Sequence, residues 1–481
     1  MRLLLILRHL LPLVASFLRD RKRWLIAGTP LPRDAAFHQR RAWRLLAAIT
    51  RLGPSFVKMG QVFAGRADLI PEPYAKTLTA LTDRVPPVPF TAIRETVEAE
   101  LGRRLDEVFE AFPDTPIAAG SLGQVYRARY DGRDVAVKVL RPGVRDLVAR
   151  DLRIARALMT RVERRWPNVH TRGVLTVVEE FALRVDGEMD FRLEAENLRA
   201  VRTNFTGNTR IRIPDVIGAL SGERVLVMEY MVGTKIDQLE PGRAYGPIRT
   251  DTVVERLIEL YVQMMYIDGF YHADPHPGNL LVADDGALIL LDFGVVLRVT
   301  RERRRQLVET IFASIRKDPK GLVQGFYDMG IVAPGARRQQ LEELAGVLMD
   351  LARQPVTARE RAEMLSQRVM DELYDWPIQL PSDLVYFART AGLIEGIGIR
   401  YDPRFNPVDA ASPVMLRMRP RLMAALQDGG APDLFDWPTL LGFLAGRATR
   451  WISGFLEGFR STERTAGTEP RPVPALPAGS K

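Results

Sequence analysis

There is no cysteine anywhere in the 481 residues. This removes disulfide staples and thiolate metal sites from consideration and is compatible with a reducing cytosol. Histidine is scarce too, at five, so a histidine-rich zinc centre has little to draw on. Long apolar runs are also missing. A bilayer span needs about 20 consecutive apolar residues. Arg8, His9 and Pro12 interrupt the stretch 3–18, and Arg447, Arg450 and Glu457 interrupt 440–459. A cleavable leader is a poor fit, because Val14-Ala15-Ser16 is a weak cleavage site followed at once by Arg19, Arg21, Lys22 and Arg23. These absences leave an interfacial amphipathic helix as the better reading of residues 1–50, and an amphipathic helix, interfacial or core-packed, is expected over 427–460.

Charge is present but unevenly placed. Residues 1–51 hold eleven Lys/Arg against two acidic residues, which is about the whole of the net +9. A basic arm next to apolar residues points to an anionic surface, although such an arm can also be merely solvated. Nucleic acid is not the expected partner, since no binding motif and no aromatic–basic interleaving accompanies the charge. A peripheral, cytoplasmic position on a membrane is expected.

Along the chain, 42–81 reads as helical with breaks at Gly53-Pro54 and Pro71. Pro86, Pro87 and Pro89 form a linker, and 91–101 reads as a short helix. Two strands, 124–130 and 134–140, flank Asp131-Gly132, a hairpin signal. Helices over 145–165 and within 175–197 follow, then an apolar strand at 224–230, a helix at 253–267 and two short strands around Asp284-Asp285-Gly286. Helical spacing dominates from 301 to about 426. The stretch 461–481, rich in Pro, Gly and Ser, is expected to be disordered. Strands early and helices late predict an α+β, two-lobed architecture with a cleft between a β-rich lobe (116–233) and a helical lobe (234–426). A helical extension (51–115) comes before them.

Two constellations carry chemistry. His272-Ala273-Asp274-Pro275-His276-Pro277-Gly278-Asn279 is followed, after the predicted hairpin, by Asp292-Phe293-Gly294. Phosphoryl transfer needs a carboxylate to orient the nucleophile and oxygen ligands to hold magnesium on the phosphates. Asp274 suits the first role, Asn279 and Asp292 the second. His272 is expected to pack and steady this loop, while the role of His276 stays open. Upstream, Ala118-Ala119-Gly120-Ser121-Leu122-Gly123-Gln124-Val125 precedes Val135-Ala136-Val137-Lys138 by one hairpin. Such a turn lets backbone N–H groups approach phosphates, and Lys138 then meets the α- and β-phosphates. Ala118, Ala119, Gly120, Ser121, Gly123, Val125, Lys138, Glu229 and Met231 form the expected nucleotide set. Lys138 needs a carboxylate partner. Glu188, Asp190, Glu194 and Glu196 lie in one predicted helical stretch, and spacing alone does not choose among them.

With these motifs in place the chain resembles the UbiB-type (AarF-domain) atypical kinases over about 52–406. The resemblance includes Lys58-Met59-Gly60-Gln61, which matches that family's signature motif, and the Arg66–Pro71 segment after it. It implies that Lys58 and Gln61 sit on a helix folded over the cleft, that Lys58 faces Glu188 and Asp190, and that Glu194 partners Lys138. It implies ATP, or another nucleotide, and Mg2+ as cofactors. It also implies a role in isoprenoid quinone or membrane lipid metabolism, with a true protein kinase or a non-catalytic nucleotide or lipid sensor as alternatives. One residue departs from the family pattern: Gly120 stands where a third alanine is usual. No Ala-Pro-Glu anchor follows Asp292-Phe293-Gly294, and Ala273 replaces the usual arginine, so the peptide-docking surface of ordinary protein kinases is missing.

Overall fold

The structure, a computed structural model, describes residues 1–21, 33–64, 70, 73–81, 86–165, 167, 169–245, 248–273, 276–316, 318–332, 338–351, 381–403, 405 and 407–426. Asp274, the Arg66–Ile70 loop apart from Ile70, the expected helix at 427–460 and the expected tail at 461–481 lie outside them.

Apolar residues at helical spacing build the first layer from α1 (Arg2–Arg21), α2 (Ala35–Leu52) and α3 (Pro54–Ala64). Asp34 caps α2 by accepting the Phe37 N–H. Gly53, at φ 92°, ends α2 by donating its N–H to Ile49 and Thr50, so that Pro54 starts α3 in a new direction. α4 (Tyr74–Leu78) supplies Leu78, and Leu81 follows in a short turn. Both pack with Ile6, Ile49, Leu52 and Phe56 in a core of their own. Gly60 permits that packing, because a Cβ there would lie 2.6 Å from Leu81 Cδ1.

α5 (Phe90–Leu101) and α6 (Leu105–Val108) lead into the small lobe. There the period changes to two, in β1 (Ala118–Ala119), β2 (Gly123–Tyr130) and β3 (Arg133–Leu140). Asp131 and Gly132 turn the hairpin with positive φ, 50° and 68°. Three helices follow, α7 (Val144–Arg165), α8 (Val169–Glu188) and α9 (Phe191–Asn204), and then β4 (Ile211–Arg212) and β5 (Val225–Glu229). The sheet order is β1-β2-β3-β5. Val135, Val137 and Val139 point to the α5 side, with Ile93 and Val97. Ala136 and Leu140 point the other way, into the main core. Alternation therefore sends Lys138 toward α9 and the cleft.

The large lobe adds β6 (Thr234–Lys235), the ribbon β7 (Ala244–Tyr245) and β8 (Ile248–Arg249), and α10 (Thr250–Val262), which runs into a π turn ended by Gly269. β9 (Phe270–His272), β10 (Leu280–Val282), β11 (Leu288–Leu290) and β12 (Val296–Arg298) follow. They pair as β4-β11-β10-β6 and β12-β9. α11 (Arg301–Arg316), α12 (Pro319–Asp328), α13 (Arg338–Leu351) and the helices Ser382–Tyr401, Pro407–Arg417 and Arg419–Leu426 make up the rest. This is the two-lobed kinase-like fold, with a small sheet lobe and a large helical one.

One expectation is corrected. Glu188, Asp190, Glu194 and Glu196 do not share a helix. Glu188 closes α8, and Asp190 is the N-cap of α9, its carboxylate accepting the Arg192 N–H at 3.1 Å. The break is held from outside, because the Phe191 N–H donates to the Glu223 carbonyl at 3.0 Å.

Candidate active site

Across the cleft, Lys138 Nζ donates to both Glu194 carboxylate oxygens, at 2.6 and 2.8 Å, and lies 3.7 Å from Asp292 Oδ2. Glu194 sits in the first turn of α9 and is almost fully buried. Asp292 is brought there by the β10–β11 hairpin. At its base the Leu291 N–H donates to the Asn279 carbonyl at 3.0 Å, which sets Asn279 beside Asp292. The Gly294 N–H donates to Asp292 Oδ1 at 2.8 Å, and Phe293 is fully buried with the His272 ring edge-on at 6.0 Å. His276 is settled as well: its Nδ1 accepts the Gly278 N–H at 3.0 Å, which caps the turn carrying Asn279.

The electrostatics follow from these distances. Burial works against the charge on Lys138, but Asp292 and Glu194 outweigh it and hold the ammonium above the ordinary lysine range. Burial lifts the Glu194 carboxyl against the pull of Lys138. Burial would raise Asp292 as well, but Lys138, His272 and the Gly294 N–H hold it at about 2. Asp292 is therefore ionised at neutral pH, and 37% of its side chain is open to the cleft.

The loop from Gly120 to Gly123 is braced from behind. The Gly120 N–H donates to the Gly123 carbonyl at 2.9 Å. Buried Arg141 donates to the Gly120 carbonyl at 3.0 Å and to the Pro86 carbonyl at 2.9 Å. Ala118 and Ala119 pair with Val125 and Gln124, and Val125 stands opposite Lys138 across the hairpin. Ser121 is buried in the loop between them. Glu229 turns its carboxylate outward, where it accepts the Asp215 N–H at 3.4 Å, so a nucleotide would meet its backbone only. Met231 is half-buried against the β10–β11 strands.

The two loop glycines differ. A Cβ on Gly123 would come within 2.9 Å of the Val139 carbonyl oxygen, which is backbone and cannot step aside, whereas on Gly120 its nearest neighbour is 3.6 Å away. Gly123→Ala is expected to cost about 1–3 kcal/mol, and Gly120→Ala to be neutral or stabilising by up to about 1 kcal/mol. Chemical unfolding of the two variants checks this, and equal costs would rule it out.

From the preceding layer, Lys58 pairs with Glu188 at 2.6 Å, and it lies near enough to the cleft for its charge to act on both Lys138 and Asp292. Asp190 is salt-bridged to Arg192 at 2.7 Å, and that bond holds it below the usual carboxylate range. Gln61 donates its amide to the Leu81 carbonyl at 3.2 Å, tying α3 down.

Sequence reasoning missed two residues. Arg141 braces the loop, and Asn197 donates its amide to the Phe293 carbonyl at 3.2 Å. Asn197 lies three positions after Glu194 on the same helical face, which is a readable signal. Arg141 had none.

The model of the ABC1 atypical kinase-like domain matches residues 80–326. An uncharacterized Synechocystis protein is 33% identical over 79% of this chain and 68% of its own length. The chloroplastic Activity of BC1 complex kinase 8 of Arabidopsis thaliana is 32% identical over 77% of this chain, which spans about half (53%) of the plant protein. An Aeromonas hydrophila protein named probable protein kinase UbiB is 31% identical over 78% of this chain and 70% of its own. Among solved structures, that of a complex of Rv3197 with erythromycin from Mycobacterium tuberculosis superposes with a TM-score of 0.52 at 26% identity, covering 83% of this chain and 98% of that one. A lysine–glutamate–aspartate cleft, the signature lysine near it and these matches agree, and the chain belongs to the ABC1 atypical kinase-like family, which includes the UbiB-type proteins.

Proposed function

We propose that this chain binds ATP with magnesium between its lobes and turns it over, as an ATPase or as a kinase of a small amphiphile. We place that activity in isoprenoid quinone or membrane lipid metabolism at an anionic membrane surface. The convergence of Lys138, Glu194 and Asp292 within hydrogen-bond or ion-pair distance carries the reading. Lys138, fixed by Glu194, presents its ammonium to the α- and β-phosphates. The ionised Asp292 and the Asn279 side-chain carbonyl are the hard oxygen donors that magnesium accepts. When bound, the metal neutralises charge on the phosphates. Asp274 is the residue to orient the acceptor hydroxyl or water.

A small acceptor is favoured over a peptide. α11 begins within a few residues of β12, where a protein kinase holds its peptide platform, and Lys58 brings a further charge near the cleft. Among the described residues no helix is long and apolar enough to cross a membrane, which is compatible with peripheral attachment. The test is magnesium-dependent ATP turnover by the purified chain, with and without anionic liposomes, followed by identification of any phosphorylated product. Turnover that liposomes raise supports the reading. Tight nucleotide binding with no turnover would make the chain a sensor, and phosphate appearing only on added proteins would make it a protein kinase.

A further inference from the structure

We infer that α1, α2 and α7 form one docking face for an anionic bilayer, with lipid phosphates seated in two arginine-lined grooves that flank α1. The inference rests on the membrane reading above and specifies where contact is made.

The first groove, about 370 Å³, lies between α1 and α2. Arg8 enters it from α1, and Arg40, Arg44 and Arg51 enter from a single face of α2, while Leu13 and Ala48 line its apolar side. Among the described residues no carboxylate lines it. Arg41 also lines this groove, but it is held by Asp20 and by the Tyr74 hydroxyl. The other four arginines have no acidic partner among the described residues. The second groove, about 390 Å³, lies between Leu3 of α1 and α7, where Arg150, Arg153 and Arg161 line it, again with no carboxylate among the described residues.

Between the grooves α1 turns an apolar row outward: Leu4, Leu11 and Val14 are 71%, 57% and 48% exposed. Arg8 lies one turn from both Leu4 and Leu11. On α2, Trp43 is 53% exposed beside Arg40 and Arg44. A solvated face would carry charge where these leucines stand. Leucines flanked by arginine, with a tryptophan at the margin, match the chemistry of a bilayer interface. A nucleic acid would use the arginines and leave the leucines exposed. The three helices hold together as one unit. Arg2 Nε donates to the buried Asp151 of α7 at 2.7 Å, and Arg2 Nη2 donates to the Leu52 carbonyl of α2 at 2.7 Å.

Flotation of the full chain with phosphatidylcholine vesicles, with or without phosphatidylglycerol, tests the inference. Each basic side chain near an anionic leaflet is worth roughly five-fold in affinity. Arg40→Glu/Arg44→Glu and Arg150→Glu/Arg153→Glu should therefore each weaken binding to phosphatidylglycerol vesicles by roughly 20-fold or more. Leu4→Asp/Leu11→Asp should weaken it as well. None of these pairs should change ATP turnover without vesicles. Arg103→Glu/Arg133→Glu, outside the three helices, reverses the same charge and should have a much smaller effect. Wild-type-like binding by both arginine pairs, or an equal loss in the control, overturns this face while leaving membrane association standing. A wild-type chain that ignores anionic vesicles removes both. Tighter binding to duplex DNA than to vesicles, lost in the same variants, would reassign the face to nucleic acid.

Discussion

Asp292→Asn is expected to lower magnesium-dependent ATP turnover by about 10²- to 10³-fold while the protein stays folded. The substitution keeps the shape and removes the charge. An amide oxygen can still accept the Gly294 N–H that Oδ1 now accepts at 2.8 Å, so the turn after β11 survives. Lys138 keeps both of its bonds to Glu194 and loses only the Asp292 contact at 3.7 Å. The loss is the anionic oxygen ligand, which the neighbouring charges hold ionised down to about pH 2. Nucleotide that binds without metal should be held about as well as before, whereas turnover and its magnesium dependence should collapse together. Asp285→Asn, at the exposed turn of the same hairpin, is the control for the hairpin itself. Turnover by Asp292→Asn within about three-fold of wild type would falsify the assignment of the metal site.

The parts of this site fixed by local pattern were legible in the sequence. Lys138 faces the cleft because alternation in β3 requires it, and Asn279 meets Asp292 because a short hairpin brings its own ends together. The positions that had to be corrected or were missed depend on distant partners. An acidic stretch from Glu188 to Glu196 reads as one helix, but the Glu223 carbonyl takes the Phe191 N–H and Asp190 becomes a cap. Nothing near Gly60 reveals that Leu81 will press on it, and Gln61 reaches the same Leu81 through its carbonyl. The choice of Glu194 came from family likeness alone. In the fold it is made by 56 positions of chain returning α9 beneath β3.

That choice can be tested by a double-mutant cycle. Glu194→Leu removes the carboxylate that accepts two bonds from Lys138 and leaves a mostly buried ammonium with the longer Asp292 contact and the Phe191 ring at 5.3 Å. Breaking a buried pair from one side costs about 3–5 kcal/mol, most of it the unpaired charge. Asp292 offsets a part, so a loss near the low end, about 3 kcal/mol, is expected in chemical unfolding, together with loss of turnover. Lys138→Met should cost less, because Asp292 then keeps access to water while Glu194 is protonated more easily, as its burial already favours. Lys138→Met/Glu194→Leu puts apolar groups of similar size where the pair stood, and the single-mutant costs should not add. The coupling should reach about 3 kcal/mol or more, so that most of the stability is regained while turnover stays absent. Additive costs would mean that the two side chains do not act as a unit. Recovered turnover would mean that the cleft does its chemistry without them. A buried ion pair whose removal leaves stability nearly unchanged is one the fold does not require, and its presence here is then explained by the phosphates that Lys138 is held in place to meet.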